Sequence, residues 1–283
     1  MPKREMARLK LIVAKIAFAS ASLLLLAAIT FPAYWMVKTS MDSGAGTFAY
    51  PPHFLPSSYD FEAYRAIVRD TAIGAWLWNS LVVATGSTLL ALVAGVSGAY
   101  GLSRFRYRGK RVLALVILTT QMMPPLVLII PLYTIFVGLG LGNTLFGLVV
   151  GNFAFSLPVV IWMMKSIFDS IPIEIEEAAR IDGASWPYVL WRVTLPLALP
   201  GLVATGIFTF LNGWDEFMLA RTIISSADKW VGTIGLASFI GVYVTSWDRV
   251  LAAATIFTVP PVVLFLIVQK YFIAGLSAGA VKG

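Results

Sequence analysis

The fold of this chain is decided by the stretch EAARIDG at residues 177–183, which is followed after nine further residues by VTLP at residues 193–196. This polar segment lies between two strongly apolar stretches of sequence. Pro172 has the fixed φ that suits the first turn of a helix, and a glycine such as the one that closes EAARIDG commonly ends one. Ser185 is placed to cap a second short helix, and Pro196 and Pro200 break the chain again before the next apolar stretch. The segment therefore predicts a helix, a sharp turn and a second helix.

The first predicted helix combines an acidic start with an apolar face. Glu174 and Glu176, with the glutamate that follows them, put negative charge near the helix N-terminus, where the helix dipole favours it. Ile175, Ala178 and Ala179 are spaced i, i+3 and i+4, so they share one small apolar face. Such a face permits close approach by another protein surface. The periodicity also leaves open an amphipathic hairpin that rests on lipid headgroups.

The composition indicates an integral membrane protein. Of the 283 residues, 59% are hydrophobic and only 12% are charged, and the mean hydropathy is +0.84, far above that of a soluble domain. The absence of cysteine excludes disulfides and thiolate metal sites, and the single histidine, His53, cannot form a histidine metal cluster. The net charge of +7 comes from basic residues that flank apolar stretches, so it indicates membrane topology and no nucleic-acid partner.

The apolar stretches predict six membrane spans, since each is long enough to cross a hydrocarbon core, which needs about 20 helical residues. The basic residues before the first stretch could also head a secretory signal, but this stretch is longer than the apolar core of a signal and is interpreted as an uncleaved anchor. The predicted segments are a cytoplasmic N-terminus at 1–15, span one at 16–37, an external loop at 38–70, a five-span core at 71–272 containing the loop 168–196, and a cytoplasmic tail at 273–283.

Within the core, the spans are predicted from uncharged runs. The run from 71 to 103 predicts span two. The run from 112 to 164 is too long for one helix, and the glycine cluster at 138–143 divides it into spans three and four. Spans five and six are predicted at 197–219 and 250–269.

The distribution of basic residues predicts the orientation. Six spans put both termini on the same side of the membrane, and 15 of the 21 Lys and Arg residues lie in the segments on that side. Lys and Arg are enriched in cytoplasmic segments. The termini and the loop 168–196 are therefore predicted to be cytoplasmic.

The loop also carries a specific residue pattern. Glu-Ala-Ala, three residues, Gly, nine residues, a branched aliphatic residue, one residue and Leu-Pro resembles the signature cytoplasmic loop of the permease subunits of binding-protein-dependent ABC importers, with Val193 where that family usually has Ile. YGLSRF at 100–105, WDEF at 214–217 and GLSAGAVKG at 275–283 are similar to elements of the carbohydrate branch, which includes the smaller maltose-importer permease. Asp215 replaces the commoner Asn of that branch.

The resemblance implies an all-α integral membrane protein with six transmembrane helices, the type I ABC importer permease fold and cytoplasmic coupling helices between spans four and five. It implies a transport subunit of the bacterial inner membrane, not an enzyme, that imports a sugar, glycoside or related polyol. The expected partners are a second permease subunit, two ATPase subunits, an external substrate-binding protein and membrane lipid. ATP and Mg are expected on the ATPase subunits and no cofactor or metal on this chain, which lacks a Gly-x-x-x-x-Gly-Lys-Ser/Thr phosphate loop.

The resemblance also implies two groups of residues that contact the ATPase subunits. The tail is nearly uncharged and rich in glycine, which predicts a flexible strip. The expected coupling residues are Glu177, Ala178, Ala179, Asp182, Gly183, Leu195 and Pro196. The expected contacts of the tail are Gly275, Gly279 and Lys282.

Polar residues within the apolar spans are candidates for the substrate pathway. Gln121 precedes two prolines that interrupt the helical hydrogen bonds of span three, a pattern typical of either a packing kink or a pathway lining. Asn152 and Asn212 can bind sugar hydroxyls or bridge helices. The full set of candidates is Gln121, Asn152, Asn212, Trp214, Asp215 and Glu216.

Asp215 and Glu216 differ from the other candidates because they are charged. An acid at the bilayer centre costs on the order of 2.5 to 3.5 kcal/mol and is usually kept for function. Screening by water or pairing with Arg221 is the alternative. The two acids also leave open the hypothesis that the protein is a secondary transporter coupled to protons or sodium. Such a transporter would need an ion gradient and no ATP.

The cysteine-free sequence allows the predicted topology to be measured. We expect the cysteine of Ser57→Cys to react with a membrane-impermeant thiol reagent added outside intact cells, because it lies in the predicted external loop. The cysteine of Ser185→Cys should react only after the membrane is permeabilised. Labelling of position 185 in intact cells, with position 57 protected, would mean that the orientation is reversed.

Overall fold

The computed structural model describes residues 3–42, 50–56, 59–241 and 245–280, with side chains from residue 10 to residue 270 within these ranges. Every regular element of the described ranges is a helix, in agreement with the predicted all-α class. The helices are α1 (Lys3–Ser40), α2 (Glu62–Asp70), α3 (Ile73–Arg104), α4 (Lys110–Thr120), α5 (Pro125–Gly138), α6 (Leu145–Asp169), α7 (Ile173–Ile181), α8 (Trp186–Leu197), α9 (Leu199–Trp214), α10 (Met218–Ile223), α11 (Gly232–Ser238) and α12 (Trp247–Ala280).

The chain divides into two compact units. The first contains α1, α2 and the start of α12. In it, the buried Lys38 ammonium pairs with the Asp42 carboxylate at 2.5 Å, and the hydroxyls of Ser40 and Tyr64 lie 2.5 Å apart, which ties the end of α1 to α2. The second unit contains α3 to α11 and the rest of α12.

The core of the second unit is the pair α3 and α6. An added Cβ at Gly95 would lie 2.5 Å from Val160 Cγ1, so the missing side chain lets the two helices approach closely. Nearer their C-terminal ends, the rings of Tyr100 and Phe168 meet edge to face with their centres 5.7 Å apart. These contacts make α3 and α6 the frame on which the other helices of the unit pack.

Four described helical stretches are long and apolar enough to cross a membrane: Lys10–Ser40, Ile73–Arg104, Leu145–Asp169 and Trp247–Lys270. Two further stretches meet the same criteria only as bent pairs, α4 with α5 at 98° and α8 with α9 at 84°. Six spans therefore require each bent pair to cross as one broken span. α1 is exposed from residue 10 to residue 34, and an apolar helix without a protein cover needs lipid or another chain around it.

Two prolines separate α4 from α5, at the position where the sequence predicts that they interrupt the helical hydrogen bonds of span three. Pro124 and Pro125 lack a backbone N–H, and each disfavours the helical conformation for the residue before it. Pro124 accordingly has a ψ of 124°. The Gln121 N–H donates to the Leu118 carbonyl at 3.1 Å, a tight turn that closes α4.

The break predicted at Pro196 and Pro200 lies between these two prolines, since α8 continues through Pro196 to Leu197 and α9 begins at Leu199. The preceding turn, Val189–Thr194, widens to a π-helix, and the Leu195 N–H donates to the Leu190 carbonyl five residues back. A wider turn accommodates the proline ring, which would otherwise clash with the carbonyl four residues earlier. The chain bends only at the junction of α8 with α9.

Two helix ends differ from the predicted spans. α9 ends at Trp214, before the predicted residue 219, so the two acids that follow lie outside the helix. α12 is continuous through Ala280, where the sequence predicted a flexible tail from residue 273. Gly275 and Gly279 are therefore helical, because extending a formed helix is far easier than starting one and their neighbours are mostly good helix formers.

The chain between α10 and α11 folds back onto α3. The Asn79 amide donates to the carbonyl of Trp230 at 2.9 Å and to that of Asp228 at 3.2 Å. The Ser80 hydroxyl accepts a hydrogen bond from the Gly232 N–H at 2.8 Å. The sequence predicted a polar segment here but not its attachment to α3.

The close contact of α3 with α6 makes Gly95 sensitive to any side chain. Val160 is fully buried and β-branched, so it cannot move away from an added Cβ. We expect Gly95→Ala to lower the free energy of unfolding by about 1 to 3 kcal/mol. Gly101→Ala, also on α3 but with no atom within 4 Å of the added Cβ, is the control and should be neutral or stabilising. Equal thermal stability of the two variants in detergent would contradict this packing.

Candidate functional site

α7 and α8 form the hairpin that the sequence predicts. Pro172 precedes α7 with a φ of −56°. After Ile181, Gly183 has a φ of +88°, in the left-handed region that glycine adopts most readily. The Ala184 N–H then donates to the Ala179 carbonyl at 3.0 Å, which satisfies the helix end. The predicted start and turn of this helix are confirmed.

Arg180 joins the two helices of the hairpin. Its guanidinium donates to the Ala184 carbonyl and lies 4.8 Å from the ring centre of Trp186, in a cation–π contact. Ser185 stands at the N-cap position of α8, but its hydroxyl makes no capping bond. The predicted capping bond is therefore wrong, and the Arg180 contacts contribute to the angle between α7 and α8.

The predicted coupling residues lie on the open side of the hairpin. The turn forms a shallow depression that includes Tyr188 in its wall. Ile175 is 42% exposed, so the described part of the chain leaves the predicted apolar face of α7 open. The exposed coupling residues are Glu177, Ala178, Asp182, Gly183 and Pro196, and the half-buried ones are Ala179 and Leu195.

Glu176 has a role that sequence reasoning missed. It is 1% exposed although it lies next to the exposed Glu177. Its Oε1 accepts a hydrogen bond from Arg104 Nε at 2.9 Å, and its Oε2 accepts one from the Tyr100 hydroxyl at 2.8 Å. The available signal was the i, i+4 spacing of Tyr100 and Arg104 at the end of an uncharged span, which puts both on one helix face.

The Arg104 guanidinium has further partners. It donates to the Ile171 carbonyl at 3.0 Å and to the Ser103 hydroxyl at 3.1 Å. The side chains of Arg104 and Glu176 are only 6% and 2% exposed. Removing one partner of such a buried pair leaves an uncompensated charge and costs about 3 to 5 kcal/mol. The hairpin is therefore held to α3 on both sides of Pro172.

Aromatic rings surround this ion pair. The ring of Tyr100 contacts the rings of Phe168 and Phe105 edge to face, with centres 5.7 and 6.1 Å apart. Phe105 in turn meets Trp186 of α8, with ring centres 5.0 Å apart. The rings keep water away from the pair, which strengthens its electrostatic attraction.

A cavity of about 450 Å³, with a largely apolar wall that carries several polar side chains, lies at the break between α4 and α5, against α6 and α9. Four of the six predicted pathway residues line it, together with three hydroxyl-bearing residues, two aromatic rings and several aliphatic side chains. No Lys, Arg or His belongs to its described lining. The pathway candidates, hydroxyls and rings in the lining are Gln121, Asn152, Asn212, Glu216, Thr120, Ser156, Thr209, Phe155 and Phe208.

Two of the lining amides make weak or local hydrogen bonds. The Asn212 amide donates to the Phe208 carbonyl at 2.7 Å, within its own helix. The Gln121 amide lies 3.5 Å from the Phe155 carbonyl, at the limit of a hydrogen bond. The hydrogen bond of Asn212 therefore stays within α9, and Gln121 bridges to α6 only weakly.

The other two pathway candidates, Trp214 and Asp215, do not belong to the described lining of the cavity. Trp214 is 2% exposed and stacks between the rings of Phe210 and Phe257, with centres 5.7 and 4.8 Å away. Helix geometry explains this, since Trp214 lies about 200° around the axis of α9 from Asn212. Asp215 is exposed and follows the last residue of α9.

Glu216 lines the cavity, but its carboxylate is occupied. One oxygen accepts a hydrogen bond from the Leu219 N–H at 2.6 Å and the other accepts one from the Ala220 N–H at 2.9 Å, so Glu216 caps α10. Among the described side chains, no ion pair joins Arg221 to Glu216 or Asp215. The predicted pairing with Arg221 is therefore wrong.

The sequence matches a known family of membrane transport proteins. A family model described as "Binding-protein-dependent transport system inner membrane component" matches residues 87–278, which include the hairpin and the described cavity lining. The chain belongs to this family. The permease is 32% identical to the inner membrane ABC transporter permease protein YcjP of Escherichia coli (strain K12), over 98% of this chain and 100% of the relative.

Two further similarities extend over most of the permease. It is 33% identical to the trehalose/maltose transport system permease protein MalG of Thermococcus litoralis, over 89% of this chain and 91% of the relative. A chain in the crystal structure of a bacterial ABC transporter involved in the import of the acidic polysaccharide alginate matches the permease with a TM-score of 0.76 and 26% identity. The match covers 92% of this chain and 96% of that chain. The fold is therefore one that ABC transporters use.

The tail residues of the permease are only partly described. Gly275 and Gly279 lie in the backbone of α12. Lys282 lies outside the described residues. Contacts of these three residues with an ATPase belong to the proposal that follows.

Proposed function

We propose that the permease is the membrane-spanning subunit of an ATP-driven importer, in which the hairpin couples ATP hydrolysis by partner ATPase subunits to alternating access of the cavity. The observation that carries this proposal is the two-sided hairpin. Its outer surface is open, and its inner side is clamped to α3 by a buried ion pair. A hairpin that only rested on lipid headgroups would need no such clamp. Membership of the transport family supports the same function.

In this proposal both bent pairs cross the membrane, which gives six spans with the hairpin and both termini in the bacterial cytoplasm. The partners are a second permease subunit, two ATPase subunits that bind ATP and Mg, and an external substrate-binding protein. The contacts to the ATPase subunits are made by Glu177, Ala178, Ala179, Asp182, Gly183, Leu195 and Pro196 in the hairpin and by Gly275, Gly279 and Lys282 in the tail.

Alternating access follows from movement of the hairpin with the ATPase subunits. α6 leads directly into the hairpin and α9 leads out of it. Displacement of the hairpin therefore changes the separation of the two helices that carry Asn152 and Asn212. The cavity between them opens toward one side of the membrane at a time.

The cavity lining supports a neutral sugar, glycoside or related polyol as substrate. Its amides and hydroxyls can donate to and accept from sugar hydroxyls, and Phe155 and Phe208 offer apolar faces to a sugar ring. One acid and no basic residue in the described lining make the wall poorly suited to an anionic sugar. The similar protein of Thermococcus litoralis is named for the transport of trehalose and maltose, which are neutral sugars.

An ion-coupled secondary transporter is less well supported. It requires Asp215 or Glu216 to take up and release a cation in the pathway. Asp215 is not part of the described lining, and both carboxylate oxygens of Glu216 accept backbone hydrogen bonds. The described lining of the cavity therefore contains no acid whose carboxylate oxygens are both available to bind a cation.

Gly183→Val tests the coupling role of the hairpin. Valine disfavours a φ of +88°, at a cost of roughly 1 to 2 kcal/mol, so the variant should redirect α8. No atom lies within 4 Å of the added Cβ, so the membrane helices should insert normally. We expect normal membrane levels, weaker co-purification of the ATPase subunits and loss of uptake.

Gly74→Val is the matched control, because it adds the same side chain in open space where φ is not positive. It should retain ATPase association and uptake. Normal association and uptake in Gly183→Val itself would refute the coupling role of the hairpin.

Asn152→Leu tests the cavity as the substrate pathway. The change removes a polar group from the lining at similar volume, and the loss of one hydrogen bond should lower uptake of the sugar carried by the binding protein about 2- to 10-fold. Membrane levels and ATPase co-purification should be normal. Asp215→Asn, outside the described lining, is the control and should transport as well as the unmodified protein. Full uptake in Asn152→Leu would exclude Asn152 from the pathway.

A further inference from the structure

The Arg104–Glu176 ion pair is not explained by stability alone. Replacing a buried ion pair with apolar side chains of similar volume often leaves a protein equally or more stable. A charged pair adds a defined relative orientation of its two side chains, because the planar guanidinium donates its hydrogen bonds in fixed directions. Here Arg104 donates to the Glu176 carboxylate at 2.9 Å and to the Ile171 carbonyl at 3.0 Å. These two hydrogen bonds fix the orientation of α7 relative to α3.

α3 is suited to carry a movement over its length. It is helical without interruption from Ile73 to Arg104, and it is the only one of the four long described helices without an internal proline. Proline removes a helical hydrogen bond and commonly kinks a helix. The prolines inside the other three are Pro32 in α1, Pro158 in α6, and Pro260 and Pro261 in α12.

α3 also touches the wall of the cavity. Gly213 of α9 lines the cavity, and an added Cβ there would lie 3.1 Å from Ser87 Oγ and 3.3 Å from Ala84 Cα. Ser87 is about 25 Å from Arg104 along the helix, at 1.5 Å per residue. A single continuous helix therefore connects the ion pair at the hairpin with the cavity wall.

We propose that the Arg104–Glu176 pair positions α3 for transport. The pair joins the hairpin and α3 into one body, so that a movement imposed on the hairpin reaches the cavity wall at Gly213. Tyr100 shares this role as the second donor to the Glu176 carboxylate. The inference rests on the proposed function, because it takes the hairpin as the part that the ATPase subunits move.

Glu176→Gln tests this role in the complete transporter, with the second permease, the ATPase subunits and the loaded binding protein. The neutral amide keeps the volume of the side chain but removes the charge that orients Arg104. We expect stimulation of ATP hydrolysis by the loaded binding protein to fall about 5-fold or more, while the ATPase subunits still co-purify. Undiminished stimulation would overturn the proposal.

Glu174→Gln is the matched control for this experiment. Glu174 is an exposed acid on the same helix, and the described part of the chain gives it no ion pair. The control removes the same charge from α7 but leaves the clamp to α3 intact. It should hydrolyse ATP like the unmodified transporter, and an equal loss in both variants would overturn the proposal.

A double variant separates positioning from stability. Arg104→Met with Glu176→Leu removes both buried charges and leaves none unpaired, so its thermal stability should match that of the unmodified protein. We expect stimulation to stay low in it, because apolar side chains do not fix the direction of α7. Recovered stimulation would mean that the pair only fills space, and would overturn the proposal.

Tyr100→Phe keeps the test decisive if the double variant does not accumulate, since it loses one hydroxyl and leaves the ion pair in place. It should fold, retain the ATPase subunits and lower stimulation by a smaller factor. Full stimulation in this variant would count against the proposal.

Gly183→Val distinguishes this proposal from the proposed function. If Gly183→Val loses uptake while the loaded binding protein still fully stimulates ATP hydrolysis in Glu176→Gln, only the positioning role of the ion pair is refuted. If Gly183→Val associates with the ATPase subunits and transports normally, the coupling role of the hairpin itself falls.

Discussion

The buried ion pair between Arg104 and Glu176 is the interaction on which the arrangement of the hairpin depends. α7 has only nine residues, and an isolated helix of that length is not stable in water. The pair and the aromatic rings around it supply the tertiary contact that α7 needs, and they do so from one side. The opposite side, with Ile175 and Ala178, therefore remains open to a partner.

The same chain forms its cavity where helices are interrupted. Pro124 and Pro125 end one helix and begin the next, and backbone groups freed by such a break in a membrane must face protein or a water-filled space. Gln121 beside this break and Glu216 beyond the end of α9 both line the cavity. α3 has no such interruption. The continuous helix and the interrupted helices that line the cavity are therefore different helices of the same unit.

The elements fixed by local chemistry are the ones that the sequence predicts. Gly183 has the positive φ expected of a helix C-terminus, and Pro172 starts the hairpin as expected. The features that the sequence did not predict depend on distant partners in the chain or on the rotation of a residue around its helix axis. Glu176 is buried against an arginine 72 residues earlier in the chain, and although the spacing of Tyr100 and Arg104 puts both on one helix face, no pattern around Glu176 identifies them as its partners. Trp214 lies two residues after Asn212 and next to two acids, but its position on the helix turns it into the core between two rings.

The most direct test of the account is the distance between the hairpin and α3 during the ATPase cycle. Spin labels on Glu174→Cys and Ser97→Cys, both exposed positions of a cysteine-free chain, report it by double electron–electron resonance in the complete transporter. A second pair, Glu174→Cys with Thr134→Cys on α5, reports whether the hairpin moves. The account predicts that ATP shifts the second distance and leaves the first unchanged. A shift or a second population in the first distance would contradict the claim that the ion pair makes the hairpin and α3 one body.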